Sequence, residues 1–535
     1  MKDAASSVAV AASLVRRERW LGVLLLASGL VLTVAASRVT GPTFDEESRF
    51  AAVRRATQLV RAVSDYGPSS LFSSSAEAVY DEIQPCGALP AVISGWFGEV
   101  LARAHLLDRI VAARLGWLLF TGCCPGALYF LVLRSKGPRV AALSACALFA
   151  MPRWVHAAAA ARESAVVASI WIILLALYMQ SLPPSLAERG LGMTARFRAA
   201  AVAFAIAAGV GLATSLATLW VLPLMVVHAL VARPKGLGRA LRQGMLPLPS
   251  GMLLALLVAP VVMVALTPGL WKGGGAHAAE WLLSPLAPKI EPLLYRGGPV
   301  VSPRDVPGGY ALRWVIATTP ALVLVLALLG SGVVSADYWA RRKQHRRDDV
   351  ALGFLLLLAV VAIIFGPAVT PIVLTRFPPR VEAALPFIAT AAAITVDRLA
   401  SRLFPAKAVF AVLPAAVLFV AYGLVAVPTA SASFGLFGGG TARAVDSRLW
   451  TVGDGSEVAV LATAIDKLGM PSVTIDATEV PRAFWSTLER AGRLRTRVDV
   501  GRAGALTLTL ARGTRPNTIA AVSRDGATLW SLARP

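Results

Sequence analysis

The sequence predicts a polytopic α-helical membrane protein of roughly eleven transmembrane helices, carrying external amphipathic helices and ending in a small external α/β domain. Three observations lead there. Of 535 residues, 56% are hydrophobic and only 15% charged, against about 25% charged in soluble domains. Apolar runs long enough to cross about 30 Å of hydrocarbon recur along most of the chain. Lysines and arginines gather in every second connection, the signature of cytoplasmic loops.

The apolar runs fall at 20–37, 112–133, 139–151, 156–180, 199–213, 215–232, 246–267, 314–335, 351–371, 383–399 and 406–428, the third, fifth and sixth being short. The first exceeds the 7–15 residues or so of a secretory signal core, so an uncleaved signal-anchor is expected. With the N-terminus cytoplasmic, segments 1–19, 134–138, 181–198, 233–245, 336–350 and 400–405 face the cytoplasm. They carry the clusters Arg16/Arg17/Arg19, Arg134/Lys136, Arg189/Arg196/Arg198, Arg233/Lys235/Arg239/Arg242 and Arg341/Arg342/Lys343/Arg346/Arg347. The connections near Met151-Pro152 and Ala213-Thr214 then read as tight out-facing hairpins. Two long loops, 38–111 and 268–313, are external, and so is the C-terminus.

Residues 1–430 form the membrane domain. Beyond Gly435 to Gly440 the composition changes: Glu457-Val458-Ala459-Val460-Leu461 and Ala505-Leu506-Thr507-Leu508-Thr509-Leu510 alternate like strands, and Arg482–Gly492 suits a helix. Residues 431–535 are therefore expected as a separate external α/β domain. The formal charge of +22 does not indicate nucleic acid, because the basic residues sit mostly in short loops where they orient spans. Cys86, Cys123, Cys124 and Cys146 have no zinc-site spacing. The excess of Arg over Lys with abundant Ala and Val suits a GC-rich bacterial gene, hence a multi-pass protein of the bacterial inner (plasma) membrane with a periplasmic or extracellular C-terminal domain.

Just beyond the first span stand Asp45, Glu46 and Glu47. Carboxylates beside a bilayer face anionic headgroups and poor solvation, so a cluster there needs a task or a counter-charge. They also precede a helical pattern, Phe50, Val53, Ala56, Leu59, Val60 and Val63, with Arg49, Arg54, Arg55 and Arg61 between. This predicts an amphipathic interfacial helix. One reading of the acids is therefore a helix cap, although a cap needs a single acid. A second amphipathic stretch runs from Leu89 through Ile93, Trp96, Phe97, Val100 and Leu101. Arg376 and Arg380 flank Phe377-Pro378-Pro379 in a short external turn that the positive-inside rule disfavours; they read as a phosphate site or as snorkelling arginines. Arg153, His156, Arg162 and Glu163 cluster at another out-facing turn, with Glu163 at the head of an apolar run, where an acid needs a partner.

Taken in order, these features resemble the type C glycosyltransferases of the protein O-mannosyltransferase and aminoarabinose-transferase superfamily. The resemblance rests on the acidic pair after span one, the proline-marked Gln84-Pro85-Cys86-Gly87, and Arg114-Leu115 opening span two. It extends through Met151-Pro152-Arg153-Trp154-Val155-His156 with Arg162-Glu163, Pro268-Gly269-Leu270-Trp271, Pro307-Gly308-Gly309-Tyr310, and Arg380 to Leu385-Pro386-Phe387. It covers residues 15–430. The chain departs from the pattern at Arg49, where relatives carry an aromatic. It departs again at Gln84-Pro85-Cys86, in place of His-Pro-Pro or Lys-Pro-Pro, and at Glu163, in place of Asp.

The resemblance implies inverting transfer of a sugar from a polyprenyl-phosphate donor to a lipid, glycan or protein acceptor at the external face. On that reading Asp45 is the general base and Glu46 orients it, or both hold a divalent cation such as Mg2+ or Mn2+. Two adjacent acids repel, so either a cation or an arginine must keep both ionised. Arg376, Arg380 and Arg153 are then the candidates for the lipid phosphate, and Glu163, His156 and Arg162 the further candidates. Membrane lipids are the remaining expected partner, and nucleic acid is not one. A transporter or flippase of lipid-linked saccharides and a catalytically inert assembly protein are the alternatives.

Overall fold

The computed structural model describes residues 2–43, 46–73, 76, 79–80, 87–182, 191–232, 249–267, 269–272, 293–295, 298–300, 310–341, 379–405, 407–426, 441, 456–476, 480–501, 507–524 and 527–534. The predicted span at 351–371, Asp45 and Arg376 lie outside them.

The membrane domain is helical. Among the described residues, 5 helices are long and apolar enough to cross a bilayer: Glu18–Val39, Arg109–Phe149, Glu163–Ser181, Phe197–Thr214 and Glu382–Leu403. Shorter apolar helices at Leu216–His228, Gly251–Ala265, Ala321–Asp337 and Val412–Ala426 accompany them. The first helix runs antiparallel to the start of Arg109–Phe149 along a seam of small residues. Gly22 lies against the Phe130 ring, Gly126 against Leu26, Gly122 against Leu30, and Gly29 against the Gly122 carbonyl. Any Cβ at these glycines would collide, so the seam is as close as helix backbones allow.

The expected turn between the second and third runs is made by Gly137-Pro138. Gly137 takes φ 82°, which favours glycine, and breaks Arg109–Phe149 into two arms. At this end of the bundle, Lys136 pairs with Asp337 at 3.5 Å, Arg398 with Asp337 at 3.7 Å and Arg139 with Asp397 at 3.3 Å. These ion pairs tie three helix ends together. At the other end lie Ser37–Gly41, Arg114, Phe149–Glu163, Thr214, Glu382 and Ala426. Contacts of Gly423 with the Phe149 carbonyl and of Gly87 with the Thr214 carbonyl join them.

Two expected spans are corrected by prolines and a backbone break. The run at 156–180 is really two helices, Pro152–Ala159 and Glu163–Ser181, separated where Ala161 takes φ 53°. Residues 152–159 are all buried. The run at 314–335 divides into Tyr310–Thr318 and Ala321–Arg341 around Pro320, whose missing N–H and ring interrupt a helix.

In the first loop, Glu47–Tyr66 is helical and buries Phe50, Val53, Ala56 and Leu59, the stripe its sequence predicts. The second amphipathic stretch is the helix Ala88–Ile93, a π-turn at Ser94–Gly98, and the helix Glu99–Arg103. Its small residues pack inward while Trp96 and Phe97 stay 53% and 51% exposed. Of the second loop, Gly269–Lys272 is helical and packs Trp271 edge-on against Tyr80 of the first loop, and a short antiparallel pair joins β1 (Leu293–Tyr295) to β2 (Gly298–Val300).

The C-terminal residues form a five-stranded mixed sheet in the order β4-β3-β5-β7-β6. The strands are β3 (Ser472–Asp476), β4 (Arg497–Val500), β5 (Thr507–Arg512), β6 (Thr518–Arg524) and β7 (Ala527–Ala533). The helix Arg482–Arg490 connects parallel β3 and β4 and buries Phe484, Trp485 and Leu488 against the sheet. The stretch 457–461, expected as a strand, is instead a 3-10 helix over Ser456–Leu461. Ser456, Glu457, Val458 and Leu461 are buried while Val460 stays exposed, a burial pattern that does not follow the alternation.

Candidate active site

The loop that leaves the first span is held by one buried arginine. Arg114 sits a turn and a half into its helix, which Asp108 caps by accepting from the N–H groups of Ile110 and Val111. From there the Arg114 side chain reaches Glu46 with a two-pronged contact, Nε to Oε1 at 2.7 Å and Nη2 to Oε2 at 2.6 Å. Its remaining donors go to the chain leaving span one: Gly41 O at 2.7 Å, Thr40 O at 3.2 Å and Ser37 Oγ at 3.2 Å. Both side chains are only 1% exposed. A bidentate guanidinium–carboxylate pair whose other donors are also satisfied is the form in which buried charges are tolerated.

Glu46 Oε2 also accepts the Thr43 N–H at 2.7 Å, while the Glu46 N–H donates to Thr43 O at 3.1 Å. Thr43 and Glu46 therefore close a small turn, and Asp45 is the residue immediately before Glu46. Glu46 occupies the N-cap position of Glu47–Tyr66 without making a side-chain cap bond. The capping alternative is thus not what this carboxylate does. Arginine supplies its counter-charge. Both Glu46 oxygens are engaged by N–H donors, and among the described residues, which do not include Asp45, no group of three His, Cys, Asp or Glu suited to a metal occurs. Glu47 is half-exposed, pairing with Arg54 at 3.0 Å.

Arg49, at the position where the resemblance has an aromatic, joins two parts of the site. It lies 3.8 Å from Glu46 Oε1 and donates to the carbonyls of Ala160 and Ala161. Those carbonyls belong to the break between Pro152–Ala159 and Glu163–Ser181. A left-handed alanine costs about 1–2 kcal/mol, and the Arg49 hydrogen bonds offset that cost.

Beyond this break lies a second buried carboxylate, Glu382, 2% exposed at the head of Leu385–Leu403. It accepts a hydrogen bond from Ser164 Oγ, and the charges of Arg162 and Arg153 and the ring of His156 bear on it. Arg153 is 8% exposed and stacks over Trp314, 5.9 Å from the ring centroid. His156 is 2% exposed. Arg153, His156 and Arg162 thus act through their charge on an acid that the sequence reading did not single out. Glu163 is not among them. It is exposed in the first turn of its helix, where a carboxylate suits the dipole, and accepts from Ser215 Oγ at 3.3 Å. Arg380 lies in the 3-10 turn Pro379–Ala384, two residues before Glu382, with its side chain outside the described residues.

Arg114 and Glu382 are the residues that sequence reading missed as parts of the site. The signal for each was present: a charged residue at the end of an apolar run has to find a partner. Which partner it finds is a matter of three-dimensional contact.

No family model matches the chain and no curated protein matches it. Solved structures do. ArnT from Cupriavidus metallidurans in the apo state superposes with a TM-score of 0.50 at 16% identity, over 96% of this chain and 99% of that one. ArnT from the same organism bound to undecaprenyl phosphate gives 0.46 at 17% identity over the same shares. The archaeal oligosaccharyltransferase AglB from Archaeoglobus fulgidus, in complex with an inhibitory peptide and a dolichol-phosphate, gives 0.44 at 10% identity over 89% of this chain and 64% of that one. The match to apo ArnT spans nearly all of both chains, so the C-terminal sheet belongs to the shared architecture as well as the helical bundle. The chain therefore shares the fold of this ArnT structure, as the resemblance of its sequence motifs leads one to expect.

Proposed function

We propose that this protein is a membrane glycosyltransferase. It moves a sugar from a polyprenyl-phosphate carrier to an acceptor hydroxyl on the side of the membrane that bears the C-terminal domain. Asp45 accepts the hydroxyl proton as the acceptor oxygen bonds to the anomeric carbon. The bond from that carbon to the phosphate oxygen breaks, and the lipid phosphate leaves with the electron pair. A single displacement of this kind inverts the anomeric centre. Charge gathering on the leaving phosphate calls for cations, the role assigned to Arg376 and Arg380 with Arg153 in reserve.

The observation that carries this reading is the buried Glu46–Arg114 pair. A surface loop does not need a desolvated ion pair to stay attached, and such a pair contributes little net stability over apolar packing. It does fix geometry, and what it fixes is the backbone beside Asp45. Glu46 is accordingly a positioning residue. A transporter would gather its buried charges near the middle of the bundle. Among the described residues, the buried acids and arginines of the membrane domain, Glu46, Arg114, Arg153 and Glu382, are all at one end.

Asp45→Asn tests the proposal. The amide keeps the size and takes no proton, and losing a general base costs about 10²–10⁴ in rate. Donor binding should persist, since the lipid and phosphate contacts remain. Wild-type turnover in purified Asp45→Asn protein would overturn the assignment.

A further inference from the structure

The C-terminal domain does not merely follow the membrane domain in sequence; it grips the same turn that Arg114 holds. Arg493, just after the helix Arg482–Arg490, donates to Thr40 O at 3.0 Å and Ser37 O at 3.4 Å. Its Nη2 also pairs with Asp108 Oδ2 at 2.9 Å. These are the carbonyls that Arg114 reaches from the membrane side, Thr40 O at 3.2 Å and Ser37 O at 3.5 Å. Asp108 divides its oxygens, Oδ1 capping the helix that carries Arg114 and Oδ2 receiving Arg493.

Three further contacts close the seam. Gly41 lies so near Ala459 and the Ser456 carbonyl that a Cβ there would sit 2.5 Å from Ser456 O. Thr487 Oγ1 reaches Glu47 Oε2 at 3.5 Å. Arg109 donates to Arg490 O at 3.3 Å. Ser37 and Thr40 are thus held between two arginines, one from each domain, a few residues ahead of Asp45 in the chain.

We propose that the C-terminal domain is part of the catalytic scaffold. Arg493 is a positioning residue that locks the 37–46 turn, so that turnover requires the docked domain. This rests on the role given to Asp45 above. The physical basis is that carbonyls at a helix C-terminus are open acceptors carrying partial negative charge. Two guanidinium groups sharing them fix the direction in which the chain leaves the helix. Displacing a reacting group by about 1 Å can cost 10²-fold in rate.

The experiment uses the full-length protein with Arg493→Ala, Arg493→Lys and, as a control, Arg497→Ala, whose exposed pair with Asp499 lies inside the C-terminal domain. Two readouts are taken: hydrogen exchange of peptides covering 37–47, and transfer kinetics with a polyprenyl-phosphate sugar. Arg493→Ala should speed exchange at Thr43 and Glu46 and lower kcat by about 10- to 100-fold. The donor KM should stay within about two-fold, because the substitution removes no donor contact. Arg493→Lys, which keeps the charge but not the fork, should recover part of both, and Arg497→Ala should match wild type. Unchanged exchange in Arg493→Ala would overturn the clamp itself. Faster exchange with wild-type kcat would overturn the positioning role. Absence of transfer by the wild-type protein would instead defeat the glycosyltransferase reading, and the exchange result would still decide whether the clamp exists.

Discussion

Replacing Glu46 by glutamine should be among the most damaging single-atom changes in this protein, and the structure shows why. Arg114 is 1% exposed and directs Nε and Nη2 at the two Glu46 oxygens. Oε2 must also serve the Thr43 N–H. An amide offers one acceptor oxygen in place of two, so whichever way it turns, its NH2 group faces another donor. The guanidinium charge stays buried without its counter-charge. Removing one partner of a buried pair costs about 3–5 kcal/mol. Arg114→Gln should cost a similar amount by stranding the carboxylate. The decisive assay is a double-mutant cycle read from unfolding in detergent. Glu46→Gln/Arg114→Gln removes both charges, and exchanging a buried pair for uncharged groups is often nearly neutral. The double variant should therefore be no worse than either single one, giving a coupling at least as large as one single effect, about 3–5 kcal/mol. Single effects that simply add, within about 0.5 kcal/mol, would show that the pair is not coupled and that the clamp reasoning is wrong.

Arg376→Ala and Arg380→Ala should each weaken lipid-donor binding by about ten- to a hundred-fold, the worth of a charge-assisted contact to phosphate. Unchanged affinity in both, measured by titration with the polyprenyl phosphate, would move the phosphate to Arg153. Gly41→Val should separate the C-terminal domain from the loop, because the added atoms meet Ser456 and Ala459; limited proteolysis should then cut between the domains faster than in wild type. Asp466 in the C-terminal domain works against some burial, but hydrogen bonds from the Thr496 and Arg495 N–H groups prevail and hold it below its ordinary value of 3.8. A lowered folded value means that its stabilisation is complete above about pH 4 and is lost as pH falls through the depressed value. Asp466→Asn should therefore lower the melting temperature at neutral pH and leave it unchanged in strong acid.

Particular residues show how far sequence reading reached. The amphipathic helix after the first span was legible because Phe50, Val53, Ala56 and Leu59 recur at helical spacing, and all four are buried. The turn at 134–138 was legible because Arg134 and Lys136 interrupt the apolar runs there, and the structure makes it with Gly137-Pro138. The 457–461 strand was misread because alternation over five residues is too short to distinguish a strand from a tight helix. The division of the 156–180 run at Ala161 was invisible, since alanine gives no sign of a left-handed residue, and the Arg49 bonds that accompany it come from 112 positions away.

What the sequence determined by itself was the membrane-spanning helical class, the amphipathic first loop and the presence of acids beside the first span. Hydropathy and periodicity are properties of local chain, and a bilayer imposes them segment by segment. Only the tertiary structure decided that Glu46 belongs to Arg114, that Glu382 accepts from Ser164, and that Arg493 reaches Thr40 from 453 residues away. A buried charge must be neutralised by whatever the packing brings within about 3 Å. Nothing in one segment's composition records which distant segment that is.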